Sequence, residues 1–182
     1  MIHILHGINT KDPMDNVGRL KPFFIAKGMG CRVHDYGFVP FGVAWLVNWW
    51  VSRQMLKEVQ DGDSLVMHSN GAAIGLRVAR KRKIKVAVLI NAALDSNIRF
   101  PNTEAQVVFF IPKDKVVKWA KYIPWHVWGD MGRVGYTGKD DNVIQFNCGR
   151  VSPKLSRHAD FFARGKLNYW GEVTAQIVYD LQ

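Results

Sequence analysis

The sequence predicts a three-layer α/β/α sandwich around a mostly parallel sheet of about six strands. Three observations carry this expectation. Short apolar runs alternate along the chain with segments of helical spacing, the pattern left by successive strand–helix–strand units. The chain has 182 residues, 48% of them apolar, which is enough to bury one good core, and it reads as one domain over residues 1–182. At Ser64–Gly75 an apolar run reaches a serine, then small residues, then a helical pattern: a strand, a sharp turn and a helix.

Taken in order, Met1–Leu5 is a buried strand that runs into His6-Gly7-Ile8-Asn9. Pro13–Lys27 carries Val17, Leu20, Phe24 and Ile25 at helical spacing, is broken by Pro22 and ends at Gly28 and Gly30. Cys31–Tyr36 is a second strand. Phe41–Val59 is the longest helical candidate and carries Trp45, Trp49 and Trp50. These rings could line an acyl or aromatic pocket; the favoured reading is that a helix apolar nearly all round packs against the sheet. After the Ser64–His68 strand comes a helix over 71–82, with Ala72, Ala73 and Gly75 small where it presses on the sheet. The cations from Arg77 to Lys85 suit the negative end of that helix dipole. Lys85–Ile90 and Ala105–Ile111 are further strands, the second stopping at Pro112 before another helical pattern. Trp119–Gly138, with Trp125-His126-Val127-Trp128 and several glycines, suggests a long ordered loop over one end of the sheet. Val143–Asn147 is the last strand and Asn168–Leu181 the closing helix.

Composition narrows the functional classes. A net charge of +10 could mark a polyanionic partner, or serve solubility alone. Cys31 and Cys148 lie far apart without metal spacing and read as reduced thiols, so a cytoplasmic protein is expected. Met1 leads directly into an apolar strand, with no charged segment of the kind that opens a secretory signal. The longest apolar run, Phe38–Val51, contains Pro40 and Asn48 and is too short for a transmembrane segment. There is no His-Glu-x-x-His, P-loop or dinucleotide fingerprint, so neither a metal nor another cofactor is expected.

A serine at a strand–helix turn stands above the strand ends with its hydroxyl presented, and the helix start behind it leaves amides free for an oxyanion. A plain helix cap or turn residue is the simpler alternative. Met67-His68-Ser69-Asn70-Gly71 resembles the nucleophile elbow G-x-S-x-G of the α/β-hydrolase superfamily. Gly71 supplies the second glycine. Met67 stands at the first, and its side chain should crowd the elbow, so that the turn widens or the serine is less well presented. A second resemblance is His6-Gly7 after an early strand. It implies that the amides of Ile8 and Asn70 hold the oxyanion; without it, the pair merely turns the chain. In the same superfamily the triad acid lies just past the strand two beyond the serine, often as Asp-x-x-Val. Asp114 and Val117 occupy that place, with Asp95 the rival one strand earlier and a helix cap the simpler role for Asp114. The superfamily keeps its base between the last strand and the last helix, where His158 alone of the six histidines lies. His3 and His34 fall in strands, and strand alternation points His68 away from Ser69.

The resemblance covers nearly the whole chain and is nearest to small lidless serine hydrolases, a reduced α/β-hydrolase fold without the first two antiparallel strands. It implies hydrolysis of a small-molecule acyl ester or thioester through an acyl-enzyme, with Ser69 as nucleophile, His158 as base and Asp114 orienting it. Acyl transfer would use the same intermediate. From another class, a catalytically silent fold could bind nucleic acid or another polyanion through the basic segments 77–85 and 113–121. The scatter of basic residues along the chain argues that such association is weak.

Overall fold

The computed structural model describes residues 1–120, 122 and 128–182, with the backbone alone at Phe41 and Ala120. Trp125-His126-Val127 of the expected loop lie outside the described residues. Along the chain run β1 (Ile2–Leu5), α1 (Lys21–Ala26), β2 (Cys31–His34), α2 (Ala44–Glu58), β3 (Asp63–His68), α3 (Gly71–Ala79), β4 (Ile84–Ile90), β5 (Thr103–Phe110), α4 (Lys115–Ala120), α5 (Met131–Val134), β6 (Val143–Asn147), α6 (Cys148–Val151) and α7 (Leu167–Leu181). The strands form one sheet in the order β2-β1-β3-β4-β5-β6, and every pairing is parallel. A parallel sheet must be covered on both faces, which is why its strands read as nearly unbroken apolar runs.

Strand alternation divides the core. Leu5, Leu65, Met67, Leu89 and Val108 face the layer of α2 and α3, joined by Met131 of α5. Ile4, Val66, Val88, Ile90, Val107 and Phe109 face α7 and the segment around α1. The even-numbered positions of β3 therefore look toward α7, which decides where His68 goes.

Two expectations are corrected. The segment 13–27 is not one helix: 3-10 turns at Pro13–Asp15 and Val17–Leu20 precede α1. Asn16, at φ −136° and ψ −109°, interrupts the path, and Pro22 lies in the first turn of α1, where its missing N–H costs nothing. The tryptophans of α2 neither fill the core nor line a closed pocket. Trp45, Trp49 and Trp50 are 53%, 43% and 51% exposed, while Ala44, Asn48, Val51, Ser52 and Met55 are buried. The neighbour decides this. α2 packs along α3 with this buried side, and the indoles are left turned outward.

Candidate active site

The loops that follow the parallel strands enclose a cleft of about 430 Å³, lined among others by Ile8, Ser69, Asn70, Val117, Trp128 and His158. In an open parallel sheet this is where the carboxyl ends of neighbouring strands leave a crevice. Ser69 directly follows β3, at φ 53°, the left-handed region that non-glycine residues rarely adopt. Its backbone is held there from three directions: its N–H donates to the Ile90 carbonyl at 3.1 Å, and its own carbonyl accepts from Ala72 and Ala93, each at 3.2 Å. A sharp strand-to-helix turn is thus fixed by β4 as well as by α3.

The neighbouring glycines are set by close approach. A Cβ at Gly7 would lie 2.9 Å from Ser69 Cβ, so the loop after β1 passes directly against the serine only because position 7 has no side chain. At Gly71 a Cβ would meet the His6 carbonyl oxygen at 2.7 Å. His6 itself is buried beside this crossing; its Nδ1 donates to the Gly7 carbonyl at 2.7 Å and its ring stacks on Tyr36 at 3.7 Å. Burial lowers its pKa, which keeps it neutral. Met67 does not widen the elbow. Its buried side chain crosses to α3 and fills the space over Gly75, where a Cβ would land on its sulfur.

Asp114 is fully buried just before α4 and uses both oxygens. Oδ2 is 2.6 Å from His158 Nδ1, while Oδ1 accepts from the amides of Val116 at 2.9 Å and Val117 at 3.2 Å. The cap and the partner of a histidine, alternatives on sequence grounds, are one residue's two contacts. Asp95 is exposed in the loop after β4. On the far side of the His158 ring, Nε2 is buried without a hydrogen-bond partner. The His158 carbonyl accepts from Asn91 Nδ2 at 2.7 Å and from His68 Nε2 at 3.4 Å. The amides of Ile8 and Asn70 have no acceptor among the described residues.

Three features escaped sequence reasoning. His68 does turn away from Ser69, but toward the α7 layer from which His158 also arrives, so the two rings pack at 4.7 Å. Burial, then the nearby His158, holds the His68 pKa well below the ordinary histidine value, so this neighbour stays uncharged. Asn91, at φ 46° beyond β4, tethers the His158 backbone. Asn48 of α2 exchanges amide hydrogen bonds of 2.9 and 2.7 Å with Asn70, whose Oδ1 also accepts from Trp128 Nε1 at 2.8 Å. An asparagine amid the apolar stretch of α2 was a visible signal, but its partner was not. Among the described residues no cluster of three or more His, Cys, Asp or Glu forms a metal site.

No family model matches the sequence, and no curated protein does. Solved structures do match. A monoacylglycerol lipase from Paleococcus ferrophilus superposes with a TM-score of 0.64 at 11% identity, covering 100% of this chain and 94% of that one. A protein assigned to the alpha/beta hydrolase superfamily from Xanthomonas campestris pv. campestris gives 0.60 at 10% identity, with 98% of each chain covered. An extracellular alpha/beta-hydrolase from a Paenibacillus species gives 0.54 at 10% identity, covering 100% and 98%. With its wholly parallel six-stranded sheet and these structural neighbours, the chain has the α/β-hydrolase fold in a reduced form.

Proposed function

We infer that the protein is a serine hydrolase that cleaves a carboxylic ester or thioester of a small molecule through an acyl-enzyme. The observation that carries this reading is the His158 ring: the buried Asp114 carboxylate fixes Nδ1, and Nε2 is left without a partner beside the cleft that Ser69 also lines. In the reaction, His158 Nε2 takes the Ser69 proton as Oγ attacks the carbonyl carbon. The amides of Ile8 and Asn70 hold the oxyanion of the tetrahedral intermediate. His158 then gives the proton to the departing alcohol or thiol, and water repeats the sequence to release the acid. Asp114 keeps the proton on Nδ1 and stabilises the imidazolium, while His68, neutral, adds no opposing charge. Hydrogen bonds between nucleophile and base commonly close only once substrate is bound, so an open Nε2 accords with this role. Ala93, Val116, Val117, Trp119 and Trp128 make the cleft wall mainly apolar, suited to an acyl chain. Acyl transfer to another nucleophile would share every step but the last.

A fluorophosphonate probe tests this reading. Mass spectrometry should find one adduct, on Ser69, absent from Ser69→Ala and formed on the order of a hundredfold more slowly or less in His158→Ala. An unlabelled Ser69 in the folded protein would overturn the hydrolase reading.

A further inference from the structure

The outward tryptophans of α2 serve nothing in the chemistry proposed above, and the end of the molecule they occupy is the one that opens into the cleft. A helix following a parallel strand runs back along the sheet, so the first turns of α2, which carry Trp45, Leu46, Trp49 and Trp50, begin at the carboxyl end of the strands. The loop before α2 touches the rim: the Asn9 amide bonds the Val39 carbonyl at 3.3 Å, Asn9 lines the cleft, and the neighbouring Phe38 is 54% exposed. Elsewhere on that rim stands α4, where Val116 and Trp119 line the cleft yet are 57% and 65% exposed. Large apolar side chains of α4 thus border the opening, and those of the first turns of α2 stand exposed beside the loop that reaches its rim.

Charge follows the same segments. From Tyr36 to Lys57 the chain has no acidic residue, and from Lys115 to Gly129 again none. Asp114, which precedes the second stretch, is buried against His158. Arg53 lies 4.3 Å from the Trp49 ring centroid and Lys118 Nζ 5.9 Å from that of Trp119. Indoles interleaved with Lys and Arg are the composition that settles at the boundary between acidic headgroups and acyl chains, although Asp35 and Glu58 flank Trp50 in a side groove and Asp95 is exposed at the same end of the strands. Nucleic acid would match the charge but leave the apolar area uncovered. A second copy would match the apolar area but bring together two molecules of charge +10.

We propose that the cleft-bearing end, through Trp45, Trp49 and Trp50 of α2 and Trp119, Lys115 and Lys118 of α4, docks on an anionic phospholipid surface. Its use rests on the serine-hydrolase reading, since a docked cleft would receive acyl substrates from the lipid phase; the docking itself does not. Nothing here spans a bilayer: among the described residues no helix is long and apolar enough to cross one.

Flotation of the Ser69→Ala protein with phosphatidylcholine vesicles, with and without phosphatidylglycerol, tests the docking without hydrolysis. The expected result is binding to the acidic vesicles alone, with a blue shift of tryptophan emission and weakening as salt rises. The Trp45→Ser/Trp49→Ser/Trp50→Ser variant should lose at least about tenfold in partition. Lys115→Gln/Lys118→Gln, which leaves the aromatic surface intact, should lose roughly twenty-five-fold, at about fivefold per lysine. Circular dichroism checks that both variants stay folded, and hydrolysis of a short soluble ester by the same substitutions in the Ser69 background should be unchanged. Failure to float, equal binding to neutral vesicles, or a wild-type dimer that the tryptophan variant dissolves would each overturn the proposal. The two readings fail separately: a missing Ser69 adduct leaves flotation untouched, and absent flotation leaves the adduct in place.

Discussion

At the scale of single residues, Asp114 shows how one carboxylate can cap a helix and bond a histidine at once. Its Oδ1 is bound by two amides at the start of α4, so Oδ2 is aimed at His158 by the backbone and not by side-chain packing alone. An amide in its place can still accept from Val116 and Val117 but favours the wrong tautomer of His158. We expect Asp114→Asn to lower kcat on a soluble acyl ester by on the order of a thousandfold or more while the circular dichroism spectrum is retained. Asp95→Asn, at an exposed position, should stay within about twofold of wild type. The opposite ranking would make Asp95 the acid.

At the scale of elements, β3 and α3 are fitted to each other by exchange of bulk. The glycine missing from the elbow at 67 is matched by Gly75 one helix away, and the Met67 side chain occupies what that glycine leaves. Sequence alone suggests that Met67→Gly relieves crowding. In the structure it would instead empty a fully buried site and place glycine inside a strand. We expect Met67→Ala to cost about 2–5 kcal/mol and Gly75→Ala about 1–3 kcal/mol. Urea unfolding of the double variant should show a cost below the sum by about 1 kcal/mol or more, because the added methyl partly fills the emptied space. Strict additivity would mean that the two side chains do not share that space.

At the scale of the whole molecule, the same burial that builds the core makes its stability depend on pH. His34, at the end of β2, contacts His3 of β1 at 2.8 Å and lies 3.8 Å from Glu58 of α2. Burial, with the nearby His3 and Arg32, lowers its pKa to about 4. An unfolded histidine titrates near 6.5, so between those values the unfolded chain binds a proton that the folded chain refuses. Stability contributed by His34 is therefore complete above about pH 6.5 and is lost as the pH falls toward 4, by an amount on the order of 3 kcal/mol. Burial lowers His6 and His68 in the same direction, so they steepen the fall. Denaturant midpoints measured from pH 7 to pH 4 should decline for wild type and decline less for His34→Gln; equal slopes would remove His34 from the account.

What the sequence determined by itself was the alternation of elements and the position of each strand, because a parallel sheet buried on both faces needs apolar runs wherever it has strands. It also marked Ser69, Asp114 and His158 along the chain; the structure puts Ser69 and His158 on one cleft and Asp114, buried, in a direct bond with His158. Only the tertiary structure decided which face of α2 is buried, since a helix apolar nearly all round carries no preference until a neighbour, here α3, covers one side of it. Only the tertiary structure put Asp114 in contact with His158 and left Asp95 exposed, gave Met67 its room over Gly75 and set His68 behind His158. Periodicity reports which side of one element is apolar; it does not report what a residue dozens of positions away brings to that side.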